Sequence, residues 1–487
     1  MTDHILVLDS GTTSTRAIAF DRAGHVAAVA QKALTQHYPQ PGWVEHDADE
    51  IWRFTLACAQ EVADKVGADT IAAIGITNQR ETVVAWDRQS GEPLARAIVW
   101  QDRRTAGFCA ELKQAGHEPL VQRATGLLLD PYFSGTKMRW LLDNDGQVRS
   151  AAAAERLALG TVESWLVWKL SEGRDHLTDA SNASRTLLLN LDGQQFDEGL
   201  CELIGVPRVA LPRVVDTQGA LSATELLGPR IPITGLAGDQ QAATIGQACF
   251  APGDTKSTYG TGAFVLTNMG EAMPRSEHRL LGTVLMQSGG KRTYALEGSV
   301  FVAGSLVQWL RDALSVIDSA AETEALARSV PDSGGVTIVP ALSGLGAPHW
   351  KADARGVIAG LSFSTGRAQI ARAALEAMAH QTRDLADAFA ADGARWASLK
   401  IDGGMSANDW MAQDLANVLE VPVERPDMIE TTALGAAMLA AVGAGLFPAL
   451  EDAAAAMRGR VRRFEPAMDG KERADRLKRW KRALEAI

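Results

Sequence analysis

Residues 6–9 and 17–21 read "LVLD" and "AIAFD", apolar at every position up to a closing acid. Strands covered on both faces carry that pattern, whereas a strand with one wet face alternates. The turn "RAGH" and the run "HVAAVAQ" follow, so the opening predicts a hairpin meander. "HDADEIWRFTLACAQEVADKVG" then switches to a helical period, and Asp47 and Glu50 at its start have the spacing of a capping box. Next, "IAAIGITNQRETVVAWD" reads as two strands around a polar interruption, and "RAIVWQDRR" repeats the device. In each case polar residues stand where an apolar run stops, and ligands of open α/β sheets gather beyond the carboxyl ends of strands.

A second series begins near residue 245. "DTKSTYGTGAFVLTNMGEA" (254–272) echoes the opening: strand, Gly-Thr turn, apolar strand. "LKIDGGMSAN" (399–408) is a strand ending in an acid and two glycines, and it leads into the helical "DWMAQDLANVLEV". A chain of 487 residues is too long for one core. The pattern therefore predicts two similar α/β halves with a nucleotide between them. The low-polarity stretch Ala433 to Phe447 is shorter than the ~20 residues a bilayer span requires, and it reads as a buried, closely packed helix. The basic tail, 470–487, reads as a solvated helix with Trp480 and Leu484 packed down.

Charge and cysteine content narrow the classes. A formal net charge of −11 repels a polyanionic backbone, so nucleic acid is not an expected partner. No basic region precedes the first apolar run, so neither a signal peptide nor membrane insertion is expected. Cys58, Cys109, Cys201 and Cys249 are dispersed, without a CxxC pair, which argues against zinc and disulfides and fits a reducing cytoplasm.

The candidate chemistry lies in the polar interruptions. "DSGTTSTR" (9–16) is not a Walker loop, but a hairpin turn can cradle phosphate too. Gly11 lets the backbone present N–H groups, and Thr12, Thr13 and Ser14 add hydroxyl donors. Asp9, closing a buried strand, is placed to hold Mg²⁺ through water, and Arg16 to stabilise a transferred phosphoryl group. "YGTGAF" (259–264) and "DGGMSAN" (402–408) supply two further glycine turns, which together point to ATP between the halves. In "GLAGDQQAATIG" (235–246), Asp239 and Gln240 stand at a helix start, where Asp239 is either a general base or a plain cap. Arg80 and Glu81 in "NQRET" are either a ligand clamp or a buried structural ion pair. Trp100 and Tyr132 are candidates for the walls of a small pocket.

These motifs, with "PGWVEHD", "WQDRRTA", "DPYFSGTK", "NASRT", "GDQQAA", "YALEGSVFVAG", "GLGAPHW", "LEAMAHQTRD" and "TALGAA", resemble the FGGY carbohydrate kinases nearly end to end. "QRET", "PYFSGTK" and "GDQQAA" favour glycerol over a pentose as acceptor. The resemblance implies an actin-like ATPase fold, an α/β architecture of two ribonuclease-H-like lobes closing over an ATP cleft. It divides the chain into a polyol- and phosphate-binding lobe, 1–244, and a nucleotide-binding lobe, 245–487. It implies that Arg80, Glu81, Tyr132, Asp239 and Gln240 hold the glycerol hydroxyls while Trp100 and Phe264 pack on its carbons, with Asp239 as general base. Thr12, Thr13, Ser14 and Arg16 are implied phosphate contacts, Asp9 the Mg²⁺ residue, and Thr261, Gly304, Gln308, Gly404 and Asn408 nucleotide contacts.

The same resemblance implies a homo-oligomer, a dimer or tetramer. The "ATELLGP" stretch lacks a glycine-arginine loop, so inhibition by fructose-1,6-bisphosphate is not expected. The competing acceptors are erythritol, another short polyol, or dihydroxyacetone, because an aromatic pocket discriminates one carbon by only ~1–3 kcal/mol. A non-kinase ATPase on the same fold is the third reading, and it has no use for an aromatic pocket and a charged pair beside the phosphate.

Overall fold

The computed structural model describes residues 3–351 and 353–487. Strands β1 (His4–Ser10), β2 (Ser14–Phe20) and β3 (Val26–Ala33) form the antiparallel meander that the apolar runs predict. On its other side β1 pairs in parallel with β4 (Ile71–Asn78), and β4 with β5 (Ile231–Gly238). The order is β3-β2-β1-β4-β5, with Gln218–Thr224 added at the outer edge.

The second half repeats this plan. Strands β6 (Thr255–Tyr259), β7 (Ala263–Gly270) and β8 (Lys291–Val300) pair antiparallel in that spatial order, with Leu281–Ser288, between β7 and β8 in the chain, on the outer edge beyond β8. β6 pairs in parallel with β9 (Leu399–Asp402), and β9 with β10 (Val423–Pro426). The order β8-β7-β6-β9-β10 and the strand senses match the first sheet, so the two halves share one topology.

The polar interruption at residues 79–82 marks a change of sheet. Val83–Asp87 leaves the first sheet and joins a four-stranded side sheet with Leu157–Thr161, Ala97–Ile98 and Glu45–His46. Glu81 sits in this link with φ of 62°, a left-handed conformation uncommon for a residue with a side chain. Such strain persists only where surrounding contacts over-determine it.

The predicted amphipathic helix is α1 (Ala48–Val66), whose N-cap Asp47 accepts from the backbone N–H groups of Asp49 and Glu50. The predicted capping box does not close. The Glu50 carboxylate turns instead to the backbone N–H and hydroxyl of Thr35, at 2.8 and 2.9 Å, tying the helix to the end of the meander. α2 (Asp239–Gly246) follows β5 directly, and α3 (Gly304–Asp312) follows β8. The alanine-rich stretch forms α4 (Thr431–Gly443), buried on all sides between Ala433 and Ala441. It belongs to the second half by sequence yet packs with Ile5, Val7, Ile18, Phe20 and Ala73 of the first sheet. Among the described residues no helix is long and apolar enough to cross a membrane.

The tail is α5 (Gly470–Leu484). Trp480 is buried, stacks on His380 at 5.3 Å between ring centroids, and donates its indole N–H to Asp384 at 2.9 Å. Leu484 packs against the same cluster, as the periodicity predicts. Trp480→Phe keeps the apolar bulk and deletes that donor. A loss of about 1–2 kcal/mol in urea unfolding is expected, since the acceptor is a carboxylate.

Candidate active site

Two cavities meet between the sheets. The smaller encloses about 170 Å³ and is lined by Thr12, Arg80, Glu81, Trp100, Tyr132, Asp239, Gln240 and Phe264 together with the turn at 258–262. The larger, about 530 Å³, lies on the second half and is lined by Thr261, Gly304, Gln308, Gly404 and Asn408 among others. Gly260 and Thr261 border both. One turn therefore separates a polyol-sized space from a nucleotide-sized one.

The floor of the small cavity is a buried charge cluster. Arg80 is 2% exposed and donates to both Glu297 oxygens, at 2.5 and 3.1 Å, while its Nε lies 3.2 Å from Asp239 Oδ1. Glu81 accepts from Arg185 Nε at 2.7 Å. Arg80 and Glu81 are only loosely paired, 3.9 Å apart, so the buried ion pair suggested by "NQRET" is not the main contact of either residue. Neighbouring side chains on a turn diverge, and each finds its partner in a remote element. Those partners, Arg185 in "NASRT" and Glu297 in "YALEGSVFVAG", were not picked out by sequence reasoning. Glu297 carried a signal: a lone acid inside an apolar strand, costly unless it is paired.

Charge compensation sets the protonation states. Burial opposes ionisation of Glu297, but Arg185 and Arg80 override it and hold its carboxyl down at about 2. Asp239 differs: burial outweighs the pull of Arg80 and pushes its carboxyl up to about 6. It keeps a third of its side chain exposed to the cavity, and its Oδ1 accepts the Gln240 N–H at 2.7 Å. Lys256, fully buried, is a further missed residue, and burial pulls its ammonium down to about 8. It donates to Gln240 Oε1 at 2.6 Å and to Thr258 Oγ1 at 2.9 Å. An ammonium only donates, so it fixes the amide oxygen toward itself and leaves the Gln240 NH₂ free to turn toward a ligand.

The opposite wall is aromatic. Trp100 meets Tyr132 and Phe264 edge to face, with centroids 5.8 and 6.0 Å apart, and donates its indole N–H to Thr12 Oγ1 at 2.9 Å. A small polyol presents carbons to such a wall and hydroxyls to the charged floor.

Close backbone packing shapes the larger cavity. The turn at Gly260–Gly262 closes on itself at 2.9 Å, and Ala303 and Gly304 donate back to Thr261 and Gly260 at the same distance. A Cβ at Gly304 would lie 2.6 Å from the Gly260 carbonyl oxygen, which only glycine avoids. α3 buries Leu306, Val307 and Leu310 only. "VAGSLVQWL" reads as an ordinary buried helix, but its other face presents Gln308 to the cavity.

The first hairpin holds the remaining candidates. Gly11 N–H bonds Ser14 O at 3.0 Å, closing the turn. Of its hydroxyls, Thr12 reaches the small cavity; Ser14 accepts from Gln31 at 2.9 Å. The Thr13 carbonyl accepts from the Leu34 N–H at 2.9 Å. Arg16 bridges Asp9, at 2.5 Å, and Glu430 ahead of α4, at 2.7 Å. Burial raises the Asp9 pKa despite Arg16, marking a carboxylate whose charge is incompletely compensated.

The model for the N-terminal domain of the FGGY family of carbohydrate kinases matches residues 4–246, and that for its C-terminal domain matches 255–444. The chain belongs to the FGGY family of carbohydrate kinases. A glycerol kinase of Alcanivorax borkumensis is 55% identical over 99% of this chain and 98% of the relative. One of Rhodospirillum rubrum is 54% identical with the same coverage. Among solved structures, a Plasmodium falciparum glycerol kinase with ADP superposes with a TM-score of 0.92 at 35% identity, over 100% of this chain and 98% of that one. A xylulose kinase of Rhodospirillum rubrum gives a TM-score of 0.85 at 25% identity, over 99% of this chain and 98% of that one. The paired, topologically equivalent lobes are thus the actin-like ATPase fold of FGGY kinases.

Proposed function

We propose that this chain transfers the γ-phosphoryl group of ATP to glycerol, giving sn-glycerol 3-phosphate and ADP. The observation that carries this reading is a 170 Å³ cavity, charged on one side and aromatic on the other, meeting a nucleotide-sized cavity at the turn 260–261. The relatives named glycerol kinase, matched end to end above 50% identity, support glycerol as the acceptor. Residues 1–244 form the lobe for polyol and phosphate, and residues 245–487 the lobe for nucleotide.

In this mechanism Arg80, Glu81, Tyr132 and Gln240 orient the glycerol hydroxyls, and Trp100 and Phe264 pack on its carbons. Asp239 takes the proton of the 3-hydroxyl as that oxygen attacks phosphorus. The transition state is loose, so the protein's work is positioning and charge stabilisation. Thr12, Thr13, Ser14 and Arg16 face the phosphates, with Arg16 exchanging its acids for phosphate oxygens. Thr261, Gly304, Gln308, Gly404 and Asn408 hold the nucleotide. Asp9, a buried carboxylate near the end of β1 that keeps part of its charge uncompensated, fits an ion held through water and substrate phosphate. Asp9 is the residue to hold Mg²⁺, which when bound with ATP neutralises phosphate charge. A cytoplasmic setting accords with four buried free cysteines. A homo-oligomer is expected, and light scattering reads it.

The test is ADP release with ATP across glycerol, erythritol, dihydroxyacetone, ribitol, xylulose and no acceptor, with and without EDTA. Strong preference for glycerol, abolished by EDTA and restored by Mg²⁺, is expected. Preference for a longer polyol would move the acceptor assignment, and release indifferent to any acceptor would sink the kinase reading.

A further inference from the structure

Two fully buried residues of the charge cluster have no part in the chemistry above. Glu297 lies on β8 of the second lobe. Arg185 follows the short helix Ala180–Ala183 of the first lobe. Glu297 accepts from Arg80, from Arg185 at 3.0 Å and from the Ser299 hydroxyl at 3.1 Å. Arg185 spends its Nε on Glu81 and keeps Nη1 without a partner. Arg80 is shared among three acids, Glu297 below it at 2.5 Å, Asp239 beside it at 3.2 Å and, more loosely, Glu81 at 3.9 Å. Its stem has little freedom: a Cβ at Gly238 would lie 2.7 Å from Arg80 Cγ and Cδ, so the chain is pressed against the backbone just before Asp239.

We propose that Glu297 and Arg185 are positioning residues that set the strength of Asp239 as a base, by fixing how much of the Arg80 charge reaches it. The inference rests on the reading of Asp239 as general base. It makes that strength a property of both lobes, because the acid that competes for Arg80 comes from the opposite one. The groups facing Asp239 are Arg80 and Glu81 from the 79–82 link, Lys256 from β6 and the backbone N–H of Gln240. Behind Arg80 stand Glu297, Arg185 and the Tyr132 hydroxyl.

The signs follow from the geometry. Neutralising Glu297 releases Arg80 toward Asp239 and stabilises its carboxylate, so the acid limb of activity moves to lower pH. Removing Arg185 leaves Glu297 with Arg80 as its one contacting cation, Lys256 standing farther off, draws Arg80 away from Asp239, and moves the limb to higher pH.

The experiment is the pH dependence of kcat/KM for glycerol in the wild type, Glu297→Gln, Arg185→Gln, Arg185→Lys and Asp239→Asn. Shifts of about half a unit or more, downward in Glu297→Gln and upward in Arg185→Gln, are expected, with Arg185→Lys near the wild type. A cluster that serves folding alone would lower the melting temperature of both variants and leave the limb in place; that result overturns the proposal, as do shifts of the same sign. Should Glu297→Gln fail to fold, the direction in Arg185→Gln decides. A wild-type limb that Asp239→Asn does not remove refutes the base assignment itself, and the inference with it.

Discussion

Replacing Asp239, the proposed general base, with alanine is expected to lower kcat by a factor on the order of 10²–10⁴, the usual worth of such a group. The KM for ATP changes little, because the nucleotide cavity lies beyond the turn at Gly260–Thr261 and does not include Asp239. The fold survives, since Arg80 keeps both oxygens of Glu297 as partners. Stability at neutral pH is equal or higher in the variant, by linkage. A carboxyl whose folded pKa is about 6 against an ordinary 3.8 weakens the native state as it ionises, between about pH 4 and 6. The same value fixes the pH dependence of the wild type. The proposed base works deprotonated, so kcat/KM is expected to be full well above about 6 and to fall close to tenfold per unit below it. Coupled ADP-release assays from pH 5 to 8 measure both effects. An alanine variant with near wild-type kcat would remove Asp239 from the chemistry.

Local pattern and long-range pairing were unequally legible. The buried strands announced themselves, because a strand covered on both faces must be apolar at every position, and "LVLD" and "AIAFD" are. The glycine turns "YGTGAF" and "DGGMSAN" were equally plain, since glycines stand where apolar runs stop, whereas Gly304, which faces the Gly260 carbonyl, came only with the family resemblance. Hydrogen-bond partners were not. Glu297 and Arg80 are 217 positions apart, and no spacing rule relates them. Glu50 had the right spacing for a capping box, but a tertiary partner, Thr35, outbid the local one. From apolar density alone α3 looks buried all round, although one face borders the larger cavity, so only the family resemblance marked Gln308. The shared strand order of the two lobes was suggested by echoing turns and became visible only once the parallel strands, far off in sequence, were in place.

Gly435→Ala is expected to be the most damaging single-methyl change in the molecule. In a helix interior that substitution ordinarily stabilises by roughly 0.5–1 kcal/mol. Here the new Cβ would lie 1.8 Å from the Ala242 carbonyl oxygen and 2.8 Å from the Gly246 nitrogen, both backbone atoms of α2 that no rotamer change can move. The contact is reciprocal, as a Cβ at Gly246 would lie 2.0 Å from the Thr431 carbonyl oxygen of α4. The two helices must part by roughly 1–2 Å before the contact is tolerable, and overpacking of that kind costs about 3 kcal/mol. The damage does not stay structural. α2 begins at Asp239, so a displaced helix carries the base with it, and a misplacement of about 1 Å costs on the order of 10² in rate. Gly107→Ala is the control: it too lies in a helix, Ala106–Gln114, and its Cβ would meet nothing within 4 Å. Urea unfolding should show Gly107→Ala at or slightly above wild-type stability and Gly435→Ala well below it. Turnover measured on the folded fraction should fall in the second variant alone. If Gly435→Ala unfolds and turns over like the wild type, α2 and α4 are not held at backbone contact, and the position of Asp239 is set by its strand and the Arg80 contact instead.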